Sequence, residues 1–137
     1  MESTTEKDTH LYTHGSPFAS HNGVEILEMY EDGAVGRMEV TETHLNGAGI
    51  PHGGLYFVLA DSVFGAATRY VHENVVTVSS SIEFIASAKV GDVLTATDTL
   101  VAASRKMPHH QVEIRNQNDD LLALVHFIGY KKKKHNS

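Results

Sequence analysis

The amino-acid sequence predicts an α+β fold: an antiparallel sheet of about six strands wrapped round one long central helix. Three observations carry this. The stretch from Gly54 to about Val71 is apolar at helical spacing on two sides, the pattern of a buried helix rather than a surface one. Six other runs have the period of two or the β-branched composition of strands, two before the helix and four after it. Gly, Asn and Asp punctuate the gaps between them, as turns require.

In order, residues 1–16 are rich in Thr, Glu, Ser and His and read as a flexible N-terminal segment. Pro17-Phe18 opens a short apolar entry, and the folded domain is expected over 17–131. Val24 to Glu31 reads as a strand and Glu31-Asp32-Gly33 as a turn. Ala34, Gly36, Met38 and Val40 then alternate with Val35, Arg37, Glu39 and Thr41, the second strand of a hairpin. Asn46 to Gly54 holds four glycines and a proline in nine residues, a loop whose backbone can approach a ligand closely. In the helix, Leu55, Leu59, Ser62, Ala66 and Tyr70 form one stripe and Phe57, Asp61, Phe64 and Thr68 a second, with an end near Val71 to Asn74. Val75 to Ile85, Val93 to Ala103, His109 to Asn116 and Leu121 to Tyr130 complete the sheet. Gly91-Asp92, Ser104-Arg105-Lys106 and Asn118-Asp119-Asp120 supply turns. The last strand is nearly continuous apolar, as a central strand should be. Its two apolar faces predict self-association, as a dimer and then a dimer of dimers.

Composition narrows the function. The chain has 137 residues, 41% hydrophobic and 20% charged, with a formal net charge of -6. That size supports one core, and that charge is not a nucleic-acid footprint. Lys131 to Lys134 reads as the start of a solvated basic tail, 132–137. Cysteine is absent, so there is neither a disulfide framework nor a thiolate zinc site. No apolar stretch is long enough to cross a membrane, and Met1 to Lys7 does not resemble a signal peptide. A cytoplasmic protein with no membrane or nucleic-acid partner is expected. The ten histidines are scattered; His109-His110 and His10/His14 are the closest pairs, and no nearby acid completes a metal-ligand set with either. No metal and no cofactor are expected.

Asp61 is the one acid between Glu42 and Glu73. A carboxylate among Phe57, Leu59, Ala60, Val63 and Phe64 is costly unless it has a partner or a task. Burial raises its pKa and nearby N–H donors lower it, and the sequence leaves that contest open.

Leu45-Asn46-Gly47, His52-Gly53-Gly54 and Phe57-x-Leu59-Ala60-Asp61-x-x-Phe64 together resemble the PaaI-type hotdog-fold acyl-CoA thioesterases. Ser81-Ile82-Glu83-Phe84, Gly91-Asp92-x-Leu94-Thr95-Ala96-Thr97 and Ile114-x-Asn116-Gln117 continue the resemblance, which spans about residues 18–130. It implies hydrolysis of an acyl-CoA thioester without metal or organic cofactor. By matched position, Asp61 is the nucleophile or general base and the Gly53 N–H polarises the carbonyl. Asn46 and His52 line the site, and Ser79 assists water or substrate. Gly54 adjoins the carbonyl, while Phe57, Phe64 and Phe84 suit an aryl or medium-chain acyl pocket. Arg105 and Lys106 can meet CoA phosphates. Ala86-Ser87 stand where the family often has Arg-Pro, so no phosphate contact is carried over there. Each residue also has a plainer reading: Asn46 as a turn residue, His52 as a loop histidine bonding backbone, Ser79 as a strand serine, Arg105-Lys106 as a solvated turn.

Geometry adds a demand. Eight residues of helix separate Gly53 from Asp61 by roughly 12 Å, yet a catalytic base must lie within about 3 Å of its target or one water further. Gly53 of one subunit and Asp61 of another, on antiparallel helices, would resolve the conflict. A non-catalytic acyl-CoA-binding protein on the same fold is the alternative. A hydratase lacks its Asp and His pair here.

Overall fold

The computed structural model describes residues 16–70 and 74–132. The expectations for residues 1–15, for the helix end at 71–73 and for 133–137 lie outside them. A short helix α1 (Pro17–His21), capped by the Ser16 hydroxyl, replaces the apolar entry segment. Then come β1 (Glu25–Tyr30), β2 (Gly33–Glu39), a 3-10 turn (Glu42–His44) and the long helix α2 (Gly54–Tyr70). β3 (Val75–Phe84), β4 (Val93–Ala102), β5 (His109–Arg115) and β6 (Leu121–Lys131) follow. The sheet is antiparallel throughout, in the order β1-β2-β4-β5-β6-β3.

Alternation in the strands decides what faces the helix. In β4, Leu94, Ala96 and Asp98 are buried while Thr97 and Thr99 are exposed. In β6, Val125, Phe127 and Gly129 turn inward. α2 lies across this inner face and contacts all six strands. Leu55, Leu59, Ala60, Val63 and Ala67 bury one flank, Phe64 and Thr68 the other. Glycine sets the closest approach: a Cβ on Gly36 of β2 would stand 2.7 Å from Val63 Cγ2.

β3 is different. It pairs only with β6, and its residues are half-buried at best. Val78, Phe84 and the following Ile85 are 51%, 62% and 51% exposed. A long edge strand with exposed apolar side chains invites pairing with another chain. The β3–β6 register also slips between Thr77 and Ser79, so Val78 is an extra residue. Thr77 stands opposite inward-facing Gly129, and Ser79 opposite Ile128. A one-residue insertion swaps faces, so Thr77 points toward the helix and Ser79 to the outer face.

Candidate active site

The loop before α2 is held by its own polar groups. Asn46 Oδ1 accepts from the Ala48 and Ile50 N–H groups at 2.9 and 3.2 Å, and the Asn46 N–H donates to Ile50 O at 2.7 Å. Gly49 has φ +78, a turn conformation that favours glycine. Leu45 and Pro51 bridge the base of the loop, and the His52 N–H donates to His44 O at 2.8 Å. His44 is buried, and its Nδ1 accepts from the Thr41 N–H at 3.0 Å.

The helix then starts in a way that leaves one donor over. His52 Nδ1 accepts from the Gly54 N–H at 2.8 Å, His52 O from Leu55 at 3.0 Å and Gly53 O from Tyr56 at 3.3 Å. The Gly53 N–H has no acceptor among the described residues. A helix start concentrates such donors and a partial positive charge. Gly53 sits beside the Phe84 ring, where an added Cβ would lie 3.4 Å from Cε1. Together with Pro51, Tyr56, Ile85, Ala86 and Ser87 they line an open cleft of about 290 Å³. The Tyr56 ring meets Phe84 edge-on at 5.8 Å, and its hydroxyl accepts from the Ala88 N–H at 2.9 Å. The segment after β3 is thereby fixed against the helix.

Asp61 lies two turns further on, half-buried. Burial raises its carboxyl above the ordinary carboxylate range, opposed by the Thr77 hydroxyl, which donates to Oδ1 at 3.4 Å. Burial prevails in the contest left open by the sequence. Thr77 was not singled out from sequence, because a β-bulge carries no plain sequence signature. Ser79 is correspondingly turned away. Behind Asp61, Phe57 tilts against Phe127 at 5.8 Å and Phe64 stacks on Phe127 at 4.7 Å. Phe57 is half-buried, but Phe64 is a core residue, with 2% of its surface exposed. Arg105 and Lys106 are exposed in the β4–β5 connection, where Lys106 O accepts from the Lys131 N–H at 2.8 Å. Gly53 stands just before the helix and Asp61 two turns along it, and no hydrogen bond among the described residues joins them.

The sheet brings one acid to His110: Asp98, twelve residues earlier, meets its Nδ1 at 2.6 Å, and no third metal-ligating side chain joins the pair among the described residues. Antiparallel pairing of β4 with β5 places Asp98 opposite Val112 and Leu100 opposite His110, so the two side chains are diagonal neighbours on the inner face.

A six-stranded antiparallel sheet wrapped on one long helix is the hotdog arrangement, and the relatives of this chain make it a thioester hydrolase. The model of the thioesterase superfamily matches residues 48–123, and the chain belongs to that family. It is 32% identical over 127 residues to the acyl-coenzyme A thioesterase PaaI of Escherichia coli, covering 90% of this chain and 91% of that one. The structure of E. coli PaaI, from the phenylacetic acid degradation operon, superposes with a TM-score of 0.86 at 30% identity, covering 93% and 92% of the two chains. A hypothetical thioesterase from Streptococcus pneumoniae, solved with coenzyme A, gives a TM-score of 0.81 at 27% identity, covering 96% and 100%. Structures of that S. pneumoniae protein also exist with alanine replacing an aspartate or a threonine sixteen residues further on.

Proposed function

We propose that this chain hydrolyses an aryl- or medium-chain acyl-CoA thioester to the free acid and CoA, at a site completed by a second copy of the chain. The observation that carries this reading is the division of labour along α2. An unclaimed N–H stands at Gly53 and a desolvated carboxylate at Asp61, roughly 12 Å apart along the helix axis. Each is half of a hydrolytic site. The exposed β3 edge supplies a means of joining halves, since pairing with a second β3 in antiparallel sense continues the sheet and sets the two helices side by side in opposite directions.

In that arrangement the Gly53 N–H of one subunit donates to the thioester carbonyl oxygen, where negative charge develops. Asp61 of the other acts at the carbonyl carbon, as general base toward water or as nucleophile. As general base, Asp61 takes a proton from the attacking water and passes it to the CoA thiolate as the C–S bond breaks. As nucleophile, Asp61 displaces the thiolate to form an acyl–Asp61 anhydride, which water then cleaves to the free acid, restoring Asp61 and giving the thiolate its proton. Thr77 holds the Asp61 carboxylate; the separation of these two residues equals that of the residues replaced in the S. pneumoniae protein. His52 and Asn46 shape the loop that presents Gly53. Gly54 keeps the approach open, and Phe57 and Phe84 offer apolar surface to the acyl group. Arg105 and Lys106, exposed in the β4–β5 connection, are the candidates to meet the nucleotide phosphates.

The test is complementation. Asp61→Asn and Gly53→Pro chains are each expected to be inactive alone with acyl-CoA substrates. Co-expressed and purified as mixed assemblies, they regain activity at the one site per dimer that keeps both groups. Mixed assemblies without activity would count against a shared site. A panel of aryl and straight-chain acyl-CoAs then identifies the acyl group.

A further inference from the structure

The Asp98–His110 pair serves none of the roles described so far, and its position is costly. Asp98 is 4% and His110 6% exposed, and their side chains meet at 2.6 Å. Asp98 Oδ2 is buried and has no partner among the described residues. Burial raises the Asp98 carboxyl, opposed by the hydrogen bond and charge of His110. A buried pair with an unsatisfied oxygen is a weak means of stabilising a core, since apolar residues of similar volume serve as well or better. Another role has to account for it.

The surroundings of His110 indicate one. Its ring meets Phe64 edge-on, 5.0 Å between centroids at 80°. Phe64 stacks on Phe127 at an interplanar angle of 4°. The tip of the Phe64 ring lies close to Gly129, where a Cβ would stand 3.1 Å from its Cζ. Gly129 is the ladder partner of Thr77, and Thr77 bonds Asp61. Phe64 is also one helical turn beyond Asp61 on the same face. The helical spacing of Asp61 and Phe64 and the contacts Phe64–Gly129, Gly129–Thr77 and Thr77–Asp61 link these residues, and His110 bears on them at Phe64.

We infer that Asp98 and His110 are positioning residues for the Asp61 carboxylate: Asp98 fixes the His110 ring, which holds Phe64 and so the helix turn and the bulged strand that aim Asp61 and Thr77. The inference rests on Asp61 being the catalytic carboxylate. Positioning errors well under a side-chain width lower turnover strongly, and they leave ground-state binding nearly untouched.

The test compares Asp98→Ala with Asp98→Asn by thermal melting and by kcat and KM measured separately. Asp98→Ala frees the His110 ring, and kcat is expected to fall about tenfold with KM within about twofold. Asp98→Asn still accepts from the His110 Nδ1–H and is expected to restore most of kcat. If Asp98→Ala does not fold, the Asp98→Leu/His110→Phe double variant keeps the packing, removes the lock and carries the same expectation. Unchanged kcat in the unlocked variants overturns the inference, as does a loss that follows the unfolded fraction, a change confined to KM, or an Asn variant no better than Ala. Asp61→Asn assayed in parallel separates the premises: if it retains full turnover, the catalytic assignment fails, whatever Asp98 does.

Discussion

Thr77 reaches Asp61 because Val78 bulges out of the β3–β6 ladder. The extra residue turns the Thr77 hydroxyl to the helix, 3.4 Å from Asp61 Oδ1, and sends Ser79 to the opposite face beside Ile128. A ladder without the bulge would have put both side chains on one face.

The two residues therefore separate in their effects. Thr77 donates to the ionised carboxylate and lowers its pKa against burial. Thr77→Val is expected to move the acid limb of the kcat profile to higher pH and to reduce kcat, while Ser79→Ala leaves both near the parent values. A pH–rate series on the two variants checks this, and an unmoved acid limb in Thr77→Val would show that the hydrogen bond has no part in tuning Asp61.

Asp61→Asn is expected to lose turnover by about 100-fold or more, the range for removing a general base or nucleophile. It also has a stability signature. Burial raises the Asp61 carboxyl in the folded state, so the native chain binds that proton more tightly than the unfolded chain. The group's contribution is most favourable below its unfolded pKa and is lost as pH rises through the folded value. The Asn variant should melt above the parent near neutral pH, with the gap closing on acidification. Melting curves across the acid range read the trend.

Placing a charge on the β3 edge tests assembly. Val78→Lys adds a cation to the exposed strand without touching Gly53 or Asp61. It is expected to shift the chain toward monomer in sedimentation and to lower kcat in proportion to the monomer fraction. A monomeric variant with full activity would mean that one subunit is a complete site.

Gly129→Ala probes the packing beneath the site. The added Cβ meets Val75 Cγ1 at 2.5 Å and Phe64 Cζ at 3.1 Å. Overpacking of this kind destabilises by about 1–3 kcal/mol. Chemical denaturation gives the number, and kcat is expected to fall as Phe64 is displaced.

The architecture was legible in the sequence because its signals are local. The change of period at Gly54, the turn at Glu31-Asp32-Gly33 and the Thr alternation of β4 each follow from backbone geometry over a few residues. Asp61 stood out because one charge in an apolar helix is anomalous without any knowledge of neighbours, and Gly53-Gly54 because a proline and paired glycines mark a close backbone approach. Distances between elements were not legible. Whether burial or hydrogen bonding governs Asp61 depends on how far β3 lies from α2. That Thr77 rather than Ser79 faces it depends on one inserted residue in a ladder. That Asp98 finds His110 depends on the antiparallel register of β4 and β5. Sequence periodicity states which face of its own element a residue occupies; only the register between elements, set by packing across the whole sheet, decides what that face meets.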